Sequence, residues 1–348
     1  MAGEFGGQSI PAEPIEVGED DDSSEEYYDQ RQDEDLEEDP DEDSDDEESE
    51  SGYESSEHNS LQISTKSLSG SILDYPIENG RRYCSSGEGA YFMPNDEAEQ
   101  IRLSIVHQIH LALLDGGLTK APIKDDIGRI LDIGTGTGEW AIAMAEKYPH
   151  AEVVGTDLSA IQPDKVPENV FFEIDDAEQE WTYTQGFDLV HMRNLAGSFE
   201  SWTKVYEQSF KHLNPGGYLE VLDFQVNQWA TEMPDTPAAV FSKALKSASD
   251  KSGRPLGVGH IKKSKARQVG FVDVRVGCMA LPLGTWPQDP KQNWLGKMWL
   301  IGILEGLEAM AMRHLTVQKS WPPEAVRDIC GQVKEQLTSS VGELYTPV

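Results

Sequence analysis

The chain has 348 residues and a formal net charge of −35, and the charge is uneven: residues 1–60 hold 26 acidic side chains and one basic one, Arg31. Such a block repels phosphates, which excludes direct nucleic-acid binding through it. The sequence carries no apolar leader and no apolar run near the roughly 20 residues that span a bilayer, so neither a secretory signal nor a membrane span is expected. Cys84, Cys278 and Cys330 offer neither a disulfide framework nor metal-ligand spacing, and a reducing compartment, cytoplasmic or nuclear, is the natural setting.

In chain order, residues 1–70 are Asp, Glu and Ser with little apolar surface to offset the entropy of ordering, and read as a disordered acidic tail. Ser23 and Ser44 each have an acidic residue three positions on, the pattern of a phosphorylated or partner-binding segment. Residues 71–128 read as a helical cap. Within it, Asp96 to Leu114 has helical spacing with Ile101, Ile105, Ile109 and Leu113 on one stripe, a capping Asn95 or Asp96 and a stop at Gly116-Gly117. Residues 129–276 then alternate. Strands are expected at Arg129–Ile133, Glu152–Asp157, Asn169–Ile174, Phe187–Met192, Tyr218–Phe224 and Phe271–Val276. Helices are expected at Glu139–Lys147, Glu200–His212 and Thr236–Asp250. This alternation implies an α/β fold, a mainly parallel sheet with helices on both faces. Residues 277–348 form a Pro- and Trp-rich insert followed by two amphipathic helices, about 291–314 and 322–338.

Open α/β sheets bind ligands at the carboxyl ends of their strands. After the first core strand comes Gly134-Thr135-Gly136-Thr137-Gly138, a turn in which glycines permit close approach to the backbone. The dinucleotide pattern G-x-G-x-x-G needs a small residue where this chain has Glu139. A bulky anion there obstructs helix–strand packing and repels a pyrophosphate, which disfavours a nicotinamide oxidoreductase. A phosphate-free cofactor with a positive sulfonium, S-adenosyl-L-methionine, suits the turn. Asp132 offers an acceptor for an amino group, Asp157 for ribose hydroxyls, and Asp175, Asp176 and Ala177 mark the adenine end, with Leu158 and Trp181 flanking the ring. Arg193 is expected to fix a carboxylate, the cofactor's or a neighbouring acid's. His191, at the same rim, is the candidate general base for a hydroxyl acceptor. Tyr83, Tyr91 and Trp202 are candidates to line the ligand site, with Trp286, Trp294 and Trp299 as a cap. His107 and His110 lie on the cap helix, and the basic run Lys262–Arg267 reads chiefly as a solvated helix face.

The blocks Leu131–Trp140, Val154–Ser159, Phe172–Ala177 and Leu213–Glu220 resemble class I methyltransferases of Rossmann-like fold. More narrowly, Tyr91–Glu97, Leu118–Ile123, Ile161-Gln162-Pro163 and His191-Met192-Arg193 resemble the fungal LaeA-type family, over about residues 79–338. The resemblance implies a seven-strand sheet, a helical segment over an S-adenosylmethionine site, and a role in fungal secondary metabolism. That role is either a tailoring enzyme acting on a small-molecule substrate or a regulator with velvet-type protein partners. Relatives continue beyond the Tyr345 region into a final strand, which is expected here to be absent or only started.

Overall fold

The structure is a computed structural model that describes residues 15–16, 74–85, 91–225, 228–339 and 342–348. Apart from Ile15–Glu16 (β1), the tail expected over residues 1–70 lies outside the described residues. A tight hairpin, β2 (Ile77–Glu78) and β3 (Arg81–Arg82), precedes helix α1 (Glu97–Leu113). Asp96 begins that helix: its carboxylate accepts from the Glu99 N–H at 3.1 Å and binds the Arg81 guanidinium at 2.6 Å. The buried face of α1 is Glu99, Val106, His107, Ile109 and His110, so the expected Ile101 stripe is rotated. Ile101 is 65% exposed.

The core follows as β4 (Arg129–Ile133), α2 (Glu139–Lys147), β5 (Glu152–Asp157), β6 (Val170–Ile174), β7 (Phe187–Arg193), α3 (Trp202–His212) and β8 (Leu213–Leu222). These five strands form one parallel sheet in the order β6-β5-β4-β7-β8. The chain winds outward from β4 through β5 to β6, then returns to β7 on the other side of β4. The switch point therefore lies at the carboxyl ends of β4 and β7. Successive residues of β4 face opposite layers. Ile130 packs with Trp140, Met144 and Val153 on the α2 side, while Leu131 and Ile133 pack with Met192, Val205 and Tyr206 on the α3 side. Burial on both faces is what gives these strands their nearly continuous apolar runs.

At the start of β8, Phe187 pairs with Leu213 and Leu189 with Tyr218, so Asn214–Gly217 bulges out rather than merely ending α3. Asn214 Nδ2 donates to Asp188, which also accepts from the Gly128 and Arg129 N–H groups.

The remainder comprises α4 (Trp229–Glu232), α5 (Pro237–Ser252), α6 (Lys263–Val269), β9 (Gly277–Cys278), β10 (Ala280–Leu283), α7 (Pro290–Arg313), α8 (Pro323–Ser339) and β11 (Leu344–Pro347). A π-helical turn, His314–Gln318, extends α7, and β9 pairs with β1. No residue of α6 is buried, as expected for its basic run. Two expectations are corrected. The seven-strand sheet has five hydrogen-bonded strands, because β10 and β11 pair with each other as a separate antiparallel ribbon. Residues 271–276 are not a strand. Alternating Val272, Val274 and Val276 imitate one, but Val272 is 81% exposed and Asp273 has φ +52°, outside extended geometry.

The C-terminal helices form their own core with α1 and the ribbon, built on Trp229, Phe241, Leu281, Trp299, Leu307 and Val333 among others. Gly296 makes this packing possible: a Cβ there would run into the Gly284 carbonyl.

Candidate functional site

The glycine turn is held from both sides. The Thr135 N–H donates to the Thr156 carbonyl at 2.9 Å, and its Oγ1 donates to Asp132 Oδ2 at 2.6 Å. Gly136 N–H donates to Asp157 Oδ2 at 2.8 Å, and Gln162 Nε2 donates to the Gly136 carbonyl at 2.6 Å. Gly134, Gly136 and Gly138 have φ of +65°, +58° and +79°, conformations costly for any other residue. A Cβ on Gly134 would strike Leu195, and one on Gly138 would strike the Phe172 ring. The blocks behind the family resemblance thus have local work. Gln162 fastens the turn, Asn95 Nδ2 donates to Ser159 Oγ at 3.1 Å, and Glu220 Oε2 accepts from Thr119 Oγ1 and from the Lys120 and Ala121 N–H groups.

Above the turn lies a cavity of about 280 Å³. Of the residues expected at a cofactor site, Asp132, Gly134, Thr135 and Gly136 line it from the end of β4. Asp157 and Leu158 line it from β5, Asp175, Asp176 and Ala177 from β6, Arg193 from β7, and Tyr91 from the segment before α1. Gly138 does not line it; it is the left-handed cap of α2.

Charge in the cavity is poorly solvated. Burial pushes Asp157 up to about 6, although the Gly136 and Ser159 N–H groups favour its carboxylate. Burial also raises Asp175 and the Tyr91 phenol. Burial, then the charge of Arg193, lowers His107 to about 4. Its neutral Nδ1 lies 3.1 Å from Arg193 Nη2. Burial pulls Arg193 itself below its ordinary value, and among the described residues no carboxylate is within ion-pair distance of it. Arg102, also on the wall, is paired with Glu99 at 2.6 Å.

His191 does not line the cavity. It is 1% exposed, hydrogen-bonds Asp132 Oδ1 through Nδ1 at 2.7 Å and stacks on Trp140 at 3.6 Å. It stands opposite Asp132 across the β4–β7 pair and holds that carboxylate, a contact made to the cavity wall rather than to the cavity. Asp132 in turn already accepts from His191 and Thr135. Trp181 is buried beside the loop that follows β6, its Nε1 donating to the Ala177 carbonyl at 3.0 Å. Tyr83 and Trp202 are buried away from the cavity, and among the three cap tryptophans only Trp299 lines it.

Several wall residues had no legible role in the sequence. Glu139 appeared there only as an obstacle to a pyrophosphate. In the structure its Oε1 accepts from Ser104 Oγ, and its buried Oε2 has no partner. Asn194 has φ +60° and a buried Oδ1 without a partner. Asp223, just past β8, accepts from His260 Nε2 at 2.8 Å and from the Ala196 N–H at 3.2 Å. Beyond it the wall becomes apolar, with Phe199, Phe224, Trp229, Phe241 and Ile303. These come from five separate segments, which no local pattern links.

A parallel sheet with a glycine turn after its central strand and acidic residues at the next two strand ends defines the class I methyltransferases. A methyltransferase-domain family model matches residues 105–252. A methyltransferase, pytC, of Aspergillus terreus is 36% identical over 277 residues, covering 78% of this chain and 86% of its own. The secondary metabolism regulator LAE1 of Cochliobolus heterostrophus is 37% identical over 282 residues, covering 78% and 92%. The protein-methionine methyltransferase laeA of Emericella nidulans is 33% identical over 267 residues, covering 74% and 71%. Among solved structures, a Haemonchus contortus phosphoethanolamine N-methyltransferase aligns with a TM-score of 0.40 and 18% identity over 71% of this chain and 50% of its own. The chain belongs to the LaeA-like family of S-adenosylmethionine-dependent methyltransferases, among whose members LAE1 is named a secondary metabolism regulator. Among the described residues, no helix is long and apolar enough to cross a membrane.

Proposed function

We propose that the chain methylates a small-molecule acceptor in a fungal biosynthetic pathway, with S-adenosylmethionine seated over the glycine turn. The observation that carries this reading is the continuity of the cavity. One wall holds the turn and the acids of β5 and β6; the far end is a deep chamber of aromatic side chains suited to an apolar guest. A regulator using the domain only for assembly has no need of that chamber.

The fit to the cofactor rests on unmet demands in the protein. Asp157 has lone pairs to spare for two ribose hydroxyls, and Asp175 and Asp176 for an exocyclic amine. The orphaned Glu139 Oε2, rather than the already engaged Asp132, is the acceptor for an ammonium. Arg193, a buried guanidinium without a carboxylate, is the partner for the cofactor's carboxylate. Glu139 opposes a phosphate at the start of α2, which agrees with a cofactor that has none.

S-adenosylmethionine supplies a methyl group already activated on a sulfonium. The protein's own contribution is to align the acceptor oxygen or nitrogen with it and to exclude water. The regulator named among the relatives is the second reading, supported by those names and by the acidic segment as a docking element for a protein partner, in nucleus or cytoplasm.

Calorimetry with S-adenosylhomocysteine and with NAD tests the cofactor assignment; binding of NAD alone would overturn it. Metabolite profiling of a deletion strain beside a Gly136→Ala strain tests the role. Loss of one methylated compound supports a tailoring enzyme, and loss of many unrelated compounds supports the regulator.

A further inference from the structure

The five strand ends form a ruler. The adenine-side acids end β6, the ribose-side acid ends β5 and the glycine turn ends β4. With strands about 4.8 Å apart, whatever is bound at the ends of β7 and β8 lies on the opposite side of the turn, roughly 5–10 Å along. That is the acceptor's side of the cavity. Its polar groups at the strand ends are Arg193, Asn194 and Asp223.

Asp223 is placed unlike an ordinary buried acid. It accepts from His260 Nε2 and from the Ala196 N–H, and among the described residues no lysine or arginine is within ion-pair distance of it. His260 is itself clamped face to face on Trp202, with ring centroids 3.6 Å apart and planes within 9°. A carboxylate accepts about four hydrogen bonds, so Asp223 keeps capacity toward the cavity it lines. Asn194, two residues before the Ala196 that anchors Asp223, also lines the cavity and has a buried Oδ1 without a partner. Asp223 and the Asn194 Oδ1 thus give this end of the cavity two acceptors for a ligand that donates.

The rest of this end is flat and apolar. Phe224 and Trp299 lie with centroids 4.4 Å apart and planes 31° apart, and Trp229 and Phe241 with centroids 6.4 Å apart and planes 34° apart. Such walls favour a ring system over a flexible polar chain.

Building on the methyltransferase reading above, we propose that Asp223 is the proton acceptor of the reaction and that the methyl acceptor is an apolar, ring-bearing molecule with a phenolic or enolic hydroxyl. The acceptor oxygen forms the new O–CH3 bond as the methyl–sulfur bond breaks. That bond's electron pair stays on sulfur, and the hydroxyl proton passes to an Asp223 oxygen.

The test uses the full chain, saturated with S-adenosylhomocysteine, and two probes: 2-naphthol and 2-methoxynaphthalene. Calorimetry is expected to give at least about tenfold tighter binding of the naphthol to wild type, the scale of one hydrogen bond to a charged acceptor. In Asp223→Asn that preference falls to about twofold or less, while the methoxy compound binds as before and the melting temperature in the presence of S-adenosylhomocysteine is retained. The retained methoxy affinity separates loss of the acceptor from loss of the fold. Equal binding of the two probes by wild type, or a preference that survives in both Asp223→Asn and Asp223→Ala, overturns the assignment of Asp223. Failure of wild type to bind S-adenosylhomocysteine at all overturns the underlying methyltransferase reading instead.

Discussion

The imidazole of His191 lies flat on the indole of Trp140, with ring centroids 3.6 Å apart and planes within 4° of parallel. The stack fixes the ring so that Nδ1–H points at Asp132, and Asp132 in turn receives the Thr135 hydroxyl at the first bend of the glycine turn. His191→Ala removes a donor from a buried carboxylate and opens a void beneath Trp140. Unfolding free energy is expected to fall by about 3 kcal/mol, combining an unmet acceptor with an uncollapsed cavity. Urea denaturation measures this directly. A change below about 0.5 kcal/mol would show that the stack supports nothing.

Asp157 gives the site a pH dependence of known sign. Its value of about 6 belongs to the free protein, where burial favours the neutral acid. Ribose hydroxyls donate to the carboxylate, so binding pulls the value down and releases a proton whenever Asp157 begins protonated. Affinity for S-adenosylhomocysteine is therefore full above pH 7 and falls as pH drops through 6, by about tenfold at pH 5. Asp157→Ala should weaken binding by about 1–3 kcal/mol at pH 8 and flatten the profile. A wild-type profile that is already flat between pH 5 and 8 is inconsistent with a ribose role.

Gly155 has no positive φ and looks replaceable in the sequence, yet a Cβ there would lie 2.8 Å from the Phe172 ring and 2.9 Å from Thr135 Oγ1. Gly155→Ala should destabilise the protein by about 1–3 kcal/mol by overpacking and shift the glycine turn through Thr135. Phe172→Leu in the same chain should recover part of the loss, since the shorter side chain vacates one of the two contacts. Equal melting temperatures for wild type and Gly155→Ala would mean the turn has slack that the packing denies.

What the sequence revealed and what it hid divide along a physical line. The residues Asp132, Gly134, Asp157 and Asp175 were legible because each sits at or just past the end of a strand, and the β–α alternation fixes which end faces the ligand. Local periodicity and turn chemistry are enough for that. His191 is read from the sequence as a candidate base at the rim, whereas its stack on Trp140 and its bond to Asp132 appear only in the packed structure, because Trp140 lies 51 residues earlier. Glu139 was noticed for what it prevents, whereas its unmet Oε2 appears only once Ser104, 35 residues earlier, occupies the other oxygen. Asp223 and His260 are 37 residues apart, joined by tertiary packing alone. The false strand at 271–276 shows the converse: a period-2 pattern forms no strand where the backbone leaves extended geometry, as it does at Asp273, φ +52°.

Trp299 ties the apolar chamber to the end of the chain. Its Nε1 donates to Thr346 Oγ1 at 2.8 Å, both groups being buried, and Thr346 lies on β11, which is paired with β10. Thr346→Val keeps the shape but leaves the indole N–H without an acceptor, a loss of about 1–3 kcal/mol. Trp299→Phe removes donor and part of the ring together, so the double variant Trp299→Phe with Thr346→Val should be more stable than the sum of the two single losses predicts. The coupling read from a double-mutant cycle in urea is expected to be about 1 kcal/mol or more. A coupling near zero would show that the chamber wall does not depend on β11 through this bond.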